Sequence, residues 1–347
     1  MEREKVAVLF GGCSTEYSVS LQSAYAVITH IDTEKYEPVL IGITREGKWF
    51  HYFGNPERIP LDTWLEDEAK TEAAILPDRQ IHGMMEWRDG AVSFTRLDFV
   101  FPVLHGRNGE DGTVQGLIEL AGIPLVGCAT LCSALCMDKQ MAHERAAAAG
   151  VAVPKAVQLL RGEEKLAEQK AAGLTFPLYV KPVRAGSSYG ITRIEAMDEL
   201  SKAVETAFEH DSRVIIEEEI KGFEVGCAVL GNEDLVIGEV DEIELVKGFF
   251  DYTEKYSLVT ARIHMPARID SRTAARIKET AALLYRVLDC RGFARVDMFL
   301  TPDQEIVFNE VNTIPGCTSH SRYPNMLKGA GISFAEMVNR LIDLARE

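Results

Sequence analysis

Apolar positions follow two rhythms along this chain, period two and period 3.6, and their alternation predicts a mixed α/β protein. Residues 5–10 are almost continuously apolar and read as a buried strand. Gly11-Gly12 turn it, and Ser14 or Thr15 caps a helix carried by Val19, Leu21, Ala24, Val27 and Ile28. This strand–glycine–helix unit predicts a doubly wound, parallel-sheet domain at the start of the chain. Residues 39–44, 98–104 and 124–127 read as further strands, and 114–120 as a helix. The stretch 53–90 is polar and acidic, and is expected to be irregular. Beyond it, 131–149, 272–288 and 333–346 have helical character, while 154–159, 176–182, 214–220, 224–230 and 235–240 read as strands.

The most informative pattern is a pair of alternating runs, 293–300 and 306–312, flanking Thr301-Pro302-Asp303-Gln304. This is the signature of two strands and a short turn. Side chains two apart share a face of a strand. Arg295 and Asp297 therefore share one face, and Glu310 and Asn312 share another. Pairing the strands can gather two carboxylates and an amide, an oxygen set suited to Mg²⁺ held with substrate phosphates. Arg295 can then stabilise developing negative charge. The plainer alternative is an exposed hairpin in which Arg295 pairs with Asp297 or Glu310.

Composition narrows the field. The chain has 347 residues, enough for two or three domains, and a formal charge of −16. That charge argues against nucleic acid or an anionic membrane as the main partner. Met1-Glu2-Arg3-Glu4 lacks signal-peptide shape and no apolar run reaches membrane-spanning length, so a cytoplasmic protein is expected. Its seven cysteines form no CxxC pair. Cys128, Cys132 and Cys136 have helical spacing, but no histidine or fourth cysteine adjoins them, so reduced thiols are the expectation rather than zinc.

Several loops carry candidate chemistry. Glu16 falls in the first turn of the first helix, either as a charge favourable to the helix dipole or as a ligand-facing carboxylate. His105 opens a loop with three glycines and several charges, expected to bind a ligand. Lys181 ends a strand before a Gly/Ser hairpin containing Ser187 and Ser188, which can grip phosphates through backbone amides. Neither a GxGxxG nor a GxxxxGK[ST] loop is present. Glu217, Glu218 and Glu219 close an apolar strand and can accept hydrogen bonds from ribose or an adenine amine. Residues 248–258, GFFDYTEKYSL, read as a lid.

Taken in order, GGxSTExxxS, LHGxxGEDGxxQG, MDK, VKPxxxGSSxG, EKY, RVD and NEVNTIPGxTSHS resemble the D-alanine–D-alanine ligases of the ATP-grasp superfamily, from about Val6 to the last helix. The resemblance implies an α/β, three-domain ATP-grasp fold, with domains at 1–128, 129–217 and 218–347. It implies ATP as co-substrate, Mg²⁺ (a pair of ions, with Mn²⁺ as a substitute), a D-alanyl phosphate intermediate and a homodimer. By the same resemblance Lys139, Lys181, Ser187 and Ser188 grip ATP. Glu217 and Ile220 meet adenine, and Glu224 meets ribose. Asp297, Glu310 and Asn312 hold the metal. Arg295 and the Gly316 amide face the oxyanion, and Glu16 binds the first substrate's ammonium. Ser187 and Tyr256 tie the lid to Glu16, Lys255 reaches the transferred phosphate, and His105 orients the first substrate.

Some positions depart from the plain pattern. Ala185 stands where many members have glutamate, and Ser18 where many have an acid. Phe250 replaces a usual tyrosine, and Arg322 follows Ser321 where an aliphatic residue is usual. The last two resemble the D-alanine–D-serine ligases of vancomycin resistance. They imply D-serine as second substrate, chosen by Ser321, Arg322 and Phe250, with D-alanine as the alternative. A rival of another class is a non-catalytic nucleotide binder on the same fold.

Overall fold

The computed structural model describes residues 3–88, 90–186, 189–245 and 261–347. Among these the strands form three sheets. The first contains β1 (Glu4–Gly11), β2 (Tyr36–Ile43), β3 (Trp49–Tyr52), β4 (Lys70–Ile75), β5 (Gly83–Arg88), β6 (Ala91–Arg96) and β7 (Phe99–Pro102). Their order is β6-β5-β4-β3-β2-β1-β7.

Only β1 runs parallel to its neighbours, β2 and β7; every other pairing in this sheet is antiparallel. The expectation of a doubly wound parallel sheet is thus corrected to a mixed, mainly antiparallel one. The difference arises in 53–90, expected to be irregular, which contains β4 and β5 of an antiparallel meander. An antiparallel sheet can present one face to water. In β4, Thr71, Ala73 and Ile75 are buried while Glu72 is exposed; polar Thr71 on the inner face and apolar Ala74 on the outer face blur the period of two. The strand expected at 124–127 is a single bridge, Leu125 to Val100.

The second sheet, β10-β9-β11-β8, joins β8 (Ala156–Leu160), β9 (Leu178–Pro182), β10 (Thr192–Ile194) and β11 (Arg213–Glu218). The third, β14-β13-β12-β15-β16, joins β12 (Phe223–Leu230), β13 (Val236–Leu245), β14 (Ala261–His264), β15 (Phe293–Leu300) and β16 (Ile306–Asn312). Helix Ser271–Val287 buries Ile277, Ala281 and Leu284 against this sheet, and Asp270 caps its first turn by accepting from the Arg272 and Thr273 amides. The helix expected at 131–149 is split by Asp138, which ends Thr130–Met137 and caps Lys139–Ala148. That cap puts Lys139 on the first turn of the second piece. A helix not anticipated, Arg322–Gly329, follows the last loop of the third sheet; Pro324 is tolerated because it sits in the first turn. No helix among the described residues is long and apolar enough to cross a membrane.

The first helix, Tyr17–Ile28, begins at Glu16, which has no side-chain cap. Ser14 instead accepts from the Glu16 amide (3.1 Å) and donates to the His105 carbonyl (2.6 Å), joining two loops. One turn on, Ser20 accepts from the Gly11 amide at 2.8 Å and donates to the Val103 carbonyl. It is fully buried, so β1, β7 and the helix meet at one hydroxyl. Ser20→Ala should leave that amide and carbonyl unpaired and cost about 1–3 kcal/mol. Urea denaturation reads this as a lowered midpoint at constant slope; an unchanged midpoint would show that the hydroxyl contributes nothing.

Candidate active site

The β15–β16 ladder sets Asp297 opposite Glu310 and Arg295 opposite Asn312, with a register shift between Asp297 and Met298. Asp297 is buried. Arg295 grips it through Nε (2.9 Å to Oδ1) and an η nitrogen (2.7 Å to Oδ2), and Asn312 Nδ2 donates to Oδ2 at 2.8 Å. The Arg295–Asp297 pair of the plainer sequence alternative is therefore present. The hairpin is not exposed, however; these side chains line a cavity of about 490 Å³. Burial works against the charge of Arg295, and the Asp297 carboxylate outweighs it, raising its pKa.

Arg322 enters the same cavity from the start of its helix. Nε and one η nitrogen clasp Asp241 at 2.7 and 2.8 Å, and the other η nitrogen donates to Glu224 at 3.0 Å and lies 3.4 Å from Asp297. Desolvation opposes the guanidinium's charge, but Asp241 and Asp297 prevail and hold its pKa well above the usual value. Gly226 makes room for it: a Cβ there would lie 2.4 Å from the Arg322 nitrogen. Asp241, fully buried on β13, was not singled out from sequence. It is one of four acids on that strand, and nothing in the local sequence marks it out.

The first sheet supplies the opposite wall. His105 is buried, with Nδ1 3.0 Å from the Ile314 carbonyl and Nε2 3.2 Å from Ser23 Oγ. Burial pushes its pKa down, so the neutral ring donates to Ile314 and accepts from Ser23. Glu16 lies against backbone, since a Cβ on Gly106 would stand 2.7 Å from its carboxylate and one on Gly186 3.3 Å. Glu110, passed over as one polar residue of the His105 loop, accepts from the amides of Gly106 (2.8 Å) and Ile314 (3.1 Å). It thereby ties that loop to the loop after β16. Burial, with the nearby Glu16 charge, pushes its pKa up to about 8.

A second cluster lies beside the ladder. Lys181 Nζ is 2.5 Å from Glu217, and Lys139 Nζ donates to the Ala185 carbonyl at 2.9 Å while lying 3.9 Å from Glu310. Glu217 is almost wholly buried; desolvation opposes its charge, but Lys181 and His143 lower its pKa. Its Oε1 has no hydrogen-bond partner, and neither has His143 Nδ1 at 3.7 Å.

The cavity thus gathers Glu16, His105, Lys139, Glu224, Arg295, Asp297, Glu310, Asn312, Gly316, Ser321 and Arg322. Lys181, Glu217 and Ile220 are not among its lining residues. Ser187, Ser188, Phe250, Lys255 and Tyr256 lie outside the described residues. Ser18 and Ala185 both line the cavity.

Glu110 generates a pH prediction. Its folded pKa, about 8, stands above the ordinary 4.5. The contribution of the protonated form is complete below 4.5 and is lost as pH rises through about 8. Glu110→Gln should therefore flatten the fall in stability across that window in the ligand-free protein. Urea titrations at several pH values check it, and a slope equal to wild type would remove Glu110 as its cause.

Two family models match the chain: "D-ala D-ala ligase N-terminus" over residues 5–128 and "D-ala D-ala ligase C-terminus" over 146–343. A crystal structure of the VanG D-Ala:D-Ser ligase from Enterococcus faecalis is 57% identical, with a TM-score of 0.93, covering 99% of this chain and 100% of that one. The vancomycin B-type resistance protein VanB of the same species is 46% identical, with both chains covered completely. A vancomycin C-type resistance protein of Enterococcus gallinarum is 45% identical over 99% of each chain.

Proposed function

The chain belongs to the D-alanine–D-alanine ligase family, and we propose that it joins D-alanine to D-serine for peptidoglycan precursors. ATP-dependent coupling of D-alanine to a second substrate is the family's chemistry. The narrower reading, D-serine, rests on the guanidinium of Arg322 held in the cavity wall beside Asp297. The likeness to a D-Ala:D-Ser ligase structure supports it.

A carboxylate is a poor acyl donor. Transfer of the terminal phosphoryl group of ATP to the D-alanine carboxylate makes an acyl phosphate and ADP. The amine of the second substrate then attacks the acyl carbon, loses a proton and expels phosphate. Glu16 binds the first substrate's ammonium, and neutral His105, fixed between Ile314 and Ser23, orients that substrate. Arg295 and the Gly316 amide stabilise the tetrahedral oxyanion. Lys139 and Lys181 bind phosphates, with Ser187, Ser188 and Lys255 completing the grip. Glu217 and Ile220 receive adenine; the unpartnered Glu217 Oε1 is an acceptor suited to an amine. Residues 248–258, including Tyr256, exclude water from the acyl phosphate.

The donors fit a hard cation: the Asp297, Glu310 and Asn312 side chains converge on one ladder beside Lys139. Mg²⁺ bound there would neutralise phosphate charge. Glu310→Gln keeps the shape and weakens the donor, so kcat should fall by about 10²-fold or more, on the scale of other lost electrostatic stabilisation. The thermal midpoint should stay near wild type. Near-normal turnover at ordinary Mg²⁺ would remove Glu310 from the site.

Glu224, which the family resemblance directs to ribose, also accepts from Arg322, linking the nucleotide side to the second-substrate side. A guanidinium has five N–H groups and no acceptor. Three are engaged by Asp241 and Glu224 and a fourth faces Asp297 at 3.4 Å, which leaves one for a serine hydroxyl. With D-alanine bound, such a donor stays unpaired or keeps water, a cost of roughly 1–3 kcal/mol or about 5–150-fold in preference. Mass spectrometry of products from equal D-alanine and D-serine, with D-lactate added separately, tests this. D-alanyl-D-serine should dominate, and Arg322→Met should narrow or reverse its excess. Because it strands buried Asp241, Arg322→Met should also cost about 3–5 kcal/mol. The product ratio is measured on folded molecules and is independent of that loss. A wild-type preference for D-alanine, or an unchanged ratio in the variant, would overturn D-serine and leave the ligase assignment standing.

A further inference from the structure

Four cysteines that the ligase reading leaves unused meet in the core. Cys132 and Cys136 lie one turn apart on Thr130–Met137, and Cys128 just precedes that helix. Cys290 arrives from the turn before β15, 158 residues from Cys132. All four are buried and free. The fourth cysteine missing beside the first three in sequence is thus supplied by the fold.

Their sulfurs are spaced like a ligand shell. Cys132 Sγ is 3.5 Å from Cys290 Sγ and 3.9 Å from Cys136 Sγ. Those of Cys128, Cys132 and Cys290 lie within 4.8 Å of one another. In a tetrahedral thiolate site with Zn–S near 2.3 Å, neighbouring sulfurs stand about 3.8 Å apart. A disulfide needs about 2.05 Å. Buried thiols can also pack simply as small apolar groups, but three sulfurs mutually close, with Cys136 joined to them through Cys132, offer a soft, closed donor set.

We propose that Cys128, Cys132, Cys136 and Cys290 form a buried binding site for a thiophilic divalent cation of the Zn²⁺ class. The surroundings support binding. Cys136 lines the main cavity, and a cleft of about 160 Å³ is lined by Gly127, Ala129, Arg291 and Gly292, the neighbours of Cys128 and Cys290. The cavity at Cys136 gives a route for ion and proton. On binding, metal–sulfur bonds replace S–H bonds and the protons pass to solvent. Cys128 already donates to the carbonyls of Arg291 (3.4 Å) and Phe293 (3.6 Å) and is the member that keeps its proton. Three thiolates and the ion then carry one net negative charge. The site fastens the helix after the first sheet to the turn that launches β15.

Titration of the full reduced chain with Co²⁺ tests this. Thiolate-to-cobalt charge transfer and tetrahedral ligand-field bands should saturate at one equivalent, with about three protons released. Zn²⁺ should quench the bands and raise Tm, while millimolar Mg²⁺ should not displace them, which separates this site from the oxygen set at Asp297. Cys132→Ser with Cys290→Ser should abolish the bands, and Cys317→Ser, elsewhere in the core, should retain them. Absence of the bands in wild type would overturn the proposal, as would their survival in the double variant or displacement by Mg²⁺. If the double variant does not fold, the wild-type spectrum and its proton count decide.

Discussion

The buried carboxylate of Asp297 is the constraint around which the cavity is built. An isolated charge in that position would be prohibitively unfavourable. It persists because Arg295, Asn312 and Arg322 converge on it from the same strand, the next strand and a later helix. Each of those side chains is in turn held: Arg295 and Asn312 by ladder register, Arg322 by Asp241 and Glu224. Removing any member leaves an uncompensated group in a low-dielectric wall. The polar network therefore specifies the relative placement of the third sheet and the helix behind it, as well as chemistry.

A second set of contacts brings the first sheet to this network. Glu110 and His105 both bond to the backbone of Ile314, and Ser23 Oγ accepts from the Cys317 amide at 3.3 Å. These bonds run from side chains of one unit to main chain of the other. They consequently fix loop geometry without demanding particular side chains on the far side, which suits a wall that must remain open to substrate.

How much was legible in the sequence depends on how far apart cooperating residues lie. The β15–β16 hairpin was readable because its residues are local and alternation fixes the face, but the bulge that sets Asp297 opposite Glu310 rather than Asn309 left no mark in the sequence. The ordered motifs identified the family because seven of them occur in one order along nearly the whole chain. The partner of Arg322 was not readable, since 81 residues separate it from Asp241 and nothing local distinguishes that acid from others. Cys290 was hidden for the same reason. The meander at β4 and β5 was missed because buried Thr71 is polar while outward Ala74 and exposed Trp87 are apolar, which breaks the alternation. Glu110 was visible as a charge, but its role is to bind amides far along the chain.

The bare backbone at Gly226 has an evolutionary corollary. Arg322 occupies space that any Cβ at 226 would claim, and it neutralises an aspartate that is otherwise intolerable in that wall. Positions 226, 241 and 322 are therefore epistatic. A lineage that exchanges the arginine for an aliphatic residue must first or simultaneously lose the aspartate, and one that gains a side chain at 226 forfeits the arginine. Exchange of the arginine is thus a multi-step path through less stable intermediates, and the glycine keeps the present combination locked in place.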